Sequence, residues 1–263
     1  MVLCNSAAVL AALALHRLSL DVLQDSSLAA RATLMFCLTP ASIFYSAIYT
    51  ESLFAVLSFV GMLCARRSPW LATAAFAAAT ATRSNGILSC SYLVYAMLCN
   101  MAAERGSTLA MPAPADWQVR QAAVGRRAAA CAPVLFATAL HARLPYLYGH
   151  VQAAYWDVGL LRSYRPNQAP NILLAAPILA MSACGADAAA PYVLHWAAAT
   201  AAAALVLHVQ VSTRFLSSCP PLYWYAARLA GSSGAGARRA VWGFFLGYAL
   251  LGALLFPNFY PWN

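Results

Sequence analysis

Glu51 is the one acid in FCLTPASIFYSAIYTESLF, residues 36–54, an otherwise apolar stretch. A carboxylate there can take a proton, accept a hydrogen bond from a hydroxyl, or pair with a guanidinium. Two arginines in comparable surroundings are Arg83, in TRSNG, and Arg214, in HVQVSTRF. In apolar sequence an arginine either ends a helix by reaching back to the interface or clamps the oxygens of an anion, two at a time. The residue types admit both readings. Asn85 lies beside Arg83, and His208 and Gln210 precede Arg214; all three can hydrogen-bond a polar ligand. His208, Ser212 and Phe215 share a face if that segment is helical, whereas His208, Gln210 and Ser212 share one if it is extended. Tyr155 and Trp156, followed by Asp157, lie in a long polar connection, where aromatics form either an interfacial belt or a stacking surface for a ring-shaped ligand.

The sequence excludes several chemistries. It has no P-loop, no GxGxxG and no paired-carboxylate motif. Its eight cysteines form no CxxC pair or Cys/His cluster, so no metal site is expected. On the face that carries Arg83 and Arg214 only Glu51 and Asp157 are acids, so a general base within this chain is one of them or a histidine. Glu51 is the candidate, a weak one.

The elements that position these groups are membrane helices. Of 263 residues, 63% are hydrophobic and only 9% charged, and mean hydropathy is +0.66. A soluble domain carries about 25% charged residues, so this chain lacks the polar surface to cover a core of its size. Apolar blocks fall at about 1–18, 33–49, 52–65, 70–85, 86–103, 128–148, 171–187, 190–208, 215–230 and 240–257. The expected fold is all-α: a multi-pass transmembrane helical bundle of about 8–10 membrane helices, with residues 1–263 forming a single integral membrane domain. Met1 to His16 has no basic segment before it and no small-residue cleavage site, and reads as a membrane helix already under way.

All 16 basic residues are arginine. Alternating the blocks across a bilayer puts Arg17, Arg31, Arg66, Arg67, Arg105, Arg120, Arg126, Arg127, Arg228, Arg238 and Arg239 on one side, and Arg83, Arg143, Arg162, Arg165 and Arg214 on the other. The arginine-rich side is cytoplasmic by the positive-inside rule. The net charge of +9 is accounted for in this way, and no nucleic-acid partner is expected. Segments 104–127 and 231–239 are cytoplasmic loops. Glu51, TRSNG, the connection 150–171, HVQVSTRF and the final FPNFYPWN gather on the opposite, lumenal face.

Five blocks carry a resemblance: FCLTPASIFYSAIYTESLFAVLSF, ATRSNGILS, YWDVGLLRSYRPNQAPNILLAAPI, HVQVSTRFLSSCPPLYWYAA and FPNFYPW. In this order, across nearly the whole chain, they resemble the GPI mannosyltransferase 2 family of PIG-V type. The resemblance implies a GT-C glycosyltransferase in the endoplasmic reticulum membrane. Such an enzyme transfers the second mannose, in α-1,6 linkage, from dolichyl phosphate mannose to the GPI-anchor precursor on the lumenal side, with inversion. It implies no cofactor beyond that donor. Expected partners are the donor, the precursor glycolipid, membrane lipids and a small accessory membrane subunit. Arg83 and Arg214 would hold the leaving phosphate. Asn85, Tyr155, Trp156, His208 and Gln210 would line the substrate pocket, and Glu51 would orient an arginine or accept a sugar hydroxyl.

The family's presumed base is an aspartate in a Trp-Asp context between its first two helices. CNSAAVLAALALHRLSLDVL matches the family from inside its second helix, so that first helix and acidic loop are expected to be absent here. Asp157, where the family usually has Asn, and Asp116 lie outside the matching block and take no such role. The alternative function is an inactive fragment or a subunit that binds the lipid-linked substrate without its catalytic loop.

Overall fold

The computed structural model of the chain describes residues 1–65, 67–96, 172–173, 175–179, 190–206, 211–232 and 234–258; every regular element among them is helical. α1 (Val2–Leu23) ends at Gln24, which adopts the left-handed conformation (φ 55°) with its N–H on the Leu20 carbonyl. Asp25 then caps α2 (Ser26–Cys37), accepting from the N–H groups of Ser27 and Leu28 at 2.8 and 3.0 Å. This capping starts the helix seven residues before the apolar block expected from 33. Arg31 is therefore within a helix, with its guanidinium beside Gly231, and does not end one.

The Leu28 N–H bond, with the Ser27 hydroxyl, holds the Asp25 carboxyl below its ordinary range. A depressed carboxylate stabilises the fold above its unfolded-state range, and that contribution is lost as pH falls through the folded-state value. Asp25→Ala is expected to lower the melting temperature at neutral pH, with a smaller deficit at a pH below the ordinary carboxylate range, where the parent carboxyl itself takes up a proton. Thermal unfolding of both proteins at the two pH values measures this.

The expected block 33–49 is two pieces. Pro40 has no N–H to continue the ladder, and α3 is a single short helix, Ser42–Ser46. The chain bends through 47–50 and enters α4 (Glu51–Ala65), so Glu51 opens that helix. After a short turn α5 (Pro69–Thr82) returns, with proline at its first position, where a missing N–H costs nothing. Arg83 is extended, and a 3₁₀ turn (Ser84–Ser89) leads into helical residues 90–96. α6 is Ala190–Leu205 and α7 is Ser212–Leu216. Pro220 and Pro221 open α8 (Pro220–Gly231), splitting the block expected at 215–230. α9 (Ala235–Leu255) runs on into a 3₁₀ turn, Phe256–Asn258.

α4 packs against α1 and α5, and α8 against α2 and α9. The Phe76 ring on α5 lies against Gly61 on α4, leaving no room for a Cβ there. Trp224 on α8 is buried and donates its indole N–H to Ser19 on α1 at 2.8 Å. Phe36 makes edge-to-face contacts with Tyr45, Phe59 and Tyr223. Two helices among the described residues, Val2–Leu23 and Ala235–Asn258, are long and apolar enough to cross a membrane.

The two ends of the helices differ in chemistry. At one end Arg67 reaches Asp21 at 3.5 Å and Arg31 lies beside Gly231, all residues that charge counting puts on the cytoplasmic side. At the other end Glu51, Arg83, Arg214 and Phe256 meet.

Candidate functional site

Glu51 is 2% exposed and its Oε1 atom is the centre of the site. Arg214, from α7, donates to it from Nε at 2.7 Å and from Nη2 as well. Arg83, at the end of α5, approaches the same oxygen with Nη1 at 2.5 Å. Three separate segments thus converge on one carboxylate oxygen. Two cations and one anion leave a net positive charge, and both guanidinium groups remain partly exposed, at 18% and 21% for Arg83 and Arg214. Oε2 of Glu51 is buried and makes no hydrogen bond among the described residues.

Aromatic rings fix the arginines further. The Arg214 guanidinium lies 4.2 Å from the centre of the Phe44 ring and 5.1 Å from that of Tyr49. Phe256, just past α9, packs edge-to-face on both rings, so the end of the last described helix closes over the site. Arg83 lies more loosely over Phe54, at 5.9 Å. Arg214 is the better held of the two cations.

Two devices set these arginines in place. At Gly86 the 3₁₀ turn after Arg83 passes so close to α5 that a Cβ would fall 2.6 Å from both N and Cα of Thr80. Those are backbone atoms and cannot give way, so only glycine lets the chain double back here. Arg214 is followed by a hydrogen-bonded turn: the Ser217 hydroxyl donates to the Arg214 carbonyl at 2.7 Å. The Ser217 carbonyl in turn accepts from Tyr223 at 2.5 Å and from Tyr45 at 3.3 Å.

Asn85 turns away from the guanidinium pair. It lines a cavity of about 10 Å³ with Ser58, Ser89 and His195, room for nothing larger than a water. Its Oδ1, like Ser58 Oγ, has no hydrogen-bond partner among the described residues. Its neighbour His195 donates from Nδ1 to the Leu88 carbonyl at 3.1 Å, which fixes the 3₁₀ turn to α6. Tyr155, Trp156, His208 and Gln210 lie outside the described residues. Among the described residues no group of His, Cys, Asp and Glu side chains could hold a metal ion. Sequence reasoning missed Phe44, Tyr45, Tyr49 and Ser217 as parts of the site. The aromatic spacing in SIFYSAIY, beside a lone acid, is the signal for the first three. Ser217 has no signal in the sequence.

A second cavity, of about 600 Å³, runs along α1 from Asn5 to His16 and is walled by α2, α3 and Ala253 of α9. Its lining is mostly apolar, including Val9, Ala12, Leu13 and Phe36. Tyr45 borders this groove with its ring and reaches Ser217, in the turn after Arg214, with its hydroxyl.

The family model for Mannosyltransferase (PIG-V) matches residues 1–111, 137–187 and 185–263. The chain belongs to the PIG-V mannosyltransferase family. Among curated relatives, it is 30% identical over 341 residues to GPI mannosyltransferase 2 of Drosophila pseudoobscura pseudoobscura, an alignment covering 100% of this chain and 73% of the relative. It is 33% identical over 240 residues to GPI mannosyltransferase 2 of Yarrowia lipolytica, covering 84% and 64%. The mouse GPI alpha-1,6-mannosyltransferase 2 is 31% identical over 293 residues, covering 84% and 59%. The chain thus spans between 59% and 73% of the length of these three relatives. No solved structure matches it. In this PIG-V family chain, the Glu51 cluster falls within the first matched segment and Arg214 within the last.

Proposed function

We propose that this PIG-V family chain transfers the second mannose, in α-1,6 linkage, from dolichyl phosphate mannose to the GPI-anchor precursor at the lumenal face of the endoplasmic reticulum membrane. Membership of a mannosyltransferase family and the names of its relatives support the reaction class. The observation that carries the site is the convergence of Arg83 and Arg214 on Glu51. Transfer forms a bond between the acceptor oxygen and the sugar's anomeric carbon and breaks the bond from that carbon to the phosphate oxygen. The electron pair of the broken bond goes to the phosphate, and the acceptor's proton goes to a carboxylate or imidazole base other than the arginine-bound Glu51. Charge therefore develops on the phosphate, where preorganised guanidinium groups stabilise it best.

On this reading Glu51 is the counter-ion that keeps two like charges side by side. Arg83 contacts Glu51 through Nη1 and its side chain stays 18% exposed, which leaves its other N–H groups for a phosphate oxygen. Tyr155, Trp156, His208 and Gln210 belong to the pocket walls by family resemblance, whereas Asn85 lines the small cavity beside His195. The apolar groove beside Tyr45 is suited to the hydrocarbon tail of a lipid-linked substrate. The fold we propose is a single GT-C-like domain of about 8–10 membrane helices. An inactive or merely substrate-binding fragment is not favoured, since the relatives are named as mannosyltransferases.

The test is expression in cells that lack the second mannosyl step. Return of GPI-anchored proteins to the cell surface is the expected result. Accumulation of the single-mannose precursor, with the chain present and correctly inserted, would overturn the assignment.

A further inference from the structure

The ion pair joins residues on two helices that are far apart in sequence, and one residue, Tyr45, is hydrogen-bonded beside both of them. Tyr45, on α3, accepts at its carbonyl a hydrogen bond from the Ser52 hydroxyl at 2.6 Å. Ser52 is next to Glu51 at the start of α4. At its other end the Tyr45 hydroxyl reaches Ser217, at 3.1 Å to Oγ and 3.3 Å to the carbonyl. Ser217 Oγ donates to the Arg214 carbonyl. From Glu51 to Arg214 there is thus an unbroken path through Ser52, Tyr45 and Ser217. It runs parallel to the direct ion pair and is built from neutral groups.

We propose that Tyr45 is the positioning residue of this site: a strut whose backbone fixes Glu51 and whose hydroxyl fixes Arg214, setting the distance between them. Three further observations fit a strut and not a loosely packed tyrosine. Tyr45 is 6% exposed, so its hydroxyl cannot exchange Ser217 for solvent. Its ring is wedged edge-to-face against Phe36 at 5.3 Å, which prevents it from swinging away. On the far side of Ser217, Thr39 donates to the Tyr223 hydroxyl at 3.0 Å while that hydroxyl donates to the Ser217 carbonyl, so this carbonyl is braced from two directions. The device has a consequence for specificity of geometry. Arg214 uses the side of its guanidinium, Nε and Nη2, on Glu51, and a small rotation of α7 would turn that side off the carboxylate. A neutral strut prevents the rotation without adding charge to the site.

The proposal rests on the mannosyl-transfer reading for its effect on catalysis, but the geometry has a readout of its own. The full chain is purified in nanodiscs and treated with limiting phenylglyoxal, and modification of each arginine is measured by mass spectrometry. Tyr45→Phe keeps the ring and removes only the hydroxyl. The expected result is a rise of about three- to tenfold in Arg214 modification, the scale of one lost hydrogen bond, with Arg83 modification unchanged and the melting temperature lowered by no more than that one bond accounts for. Ser52→Ala cuts the strut at its other end, and should raise modification of Arg83 and Arg214 together. Unchanged Arg214 reactivity in Tyr45→Phe would overturn the proposal, as would a parallel rise at both arginines with a lowered melting temperature, which marks general loosening. In the transfer assay Tyr45→Phe should lower kcat with KM unaltered. If the unsubstituted chain transfers no mannose, the functional reading fails while the labelling result still decides the strut.

Discussion

Arg214→Ala is expected to lower mannose transfer by at least about a hundredfold, the scale on which a single preorganised donor contributes to an anionic transition state. The fold should survive. Glu51 keeps Arg83 as its partner, so the substitution leaves no buried carboxylate without a counter-ion. Arg214→Lys is expected to be nearly as poor. The side of the guanidinium engages Glu51 with two N–H groups while its face covers Phe44, and an ammonium reproduces neither. Arg83 presents a contrast that tests the geometry. It contacts Glu51 through Nη1 alone and lies loosely over Phe54, so Arg83→Lys should retain more activity than Arg214→Lys. Transfer from radiolabelled dolichyl phosphate mannose in membranes measures all three. Equal losses at the two lysine variants would mean that the distinction in contacts has no catalytic meaning.

Gly86→Ala is the second substitution with a large expected effect, although residue 86 reaches Arg83 only through the backbone, its N–H donating to the Arg83 carbonyl at 3.0 Å. The added Cβ would meet backbone atoms of Thr80, so the 3₁₀ turn must lift away from the end of α5. Overpacking of this kind costs about 1–3 kcal/mol in a well-packed interior. The displaced segment carries Arg83 and Asn85. Expected results are a lowered melting temperature and loss of transfer out of proportion to it, since an error of about an ångström in a positioning group is enough to remove most of its effect. Gly236→Ala is the matched control, because a Cβ there meets nothing within 4 Å. Measured stability and activity should both stay at the parent level in the control.

Much of the fold is legible in residue types and their order. Low charge and long apolar blocks require helices, and Pro69 and Pro220–Pro221 mark where two of them start. The start of α2 was legible too, in Asp25–Ser26–Ser27, but apolar periodicity dominated the reading and put the helix too late. Glu51 and Arg83 could be matched as candidates because a single helical hairpin separates them, which forces their ends together. Arg214 as a second partner could not be read in the same way. It lies 163 residues from Glu51, and which of several arginines arrives there is decided by how α7 packs. Tyr45 and Ser217, 172 residues apart, are harder still. A tyrosine hydroxyl on a serine carries no charge pattern, and its meaning appears only when the helices are assembled.

The α4–α5 hairpin also bears on how such a charged site is built at all. A ribosome releases Glu51 and Arg83 one hairpin apart, long before it reaches Arg214. Paired on the hairpin, the two charges cancel, and Phe76 against Gly61 brings their helices together from the outset. A neutral pair enters an apolar phase at far smaller cost than either ion alone. The surplus positive charge is added only when α7 arrives, by which time Glu51 of α4 and Phe44 of α3, which receive Arg214, have long been made. Order of synthesis thus separates the two demands on this site: neutrality while α4 and α5 come together, and a net positive charge once α7 has joined them.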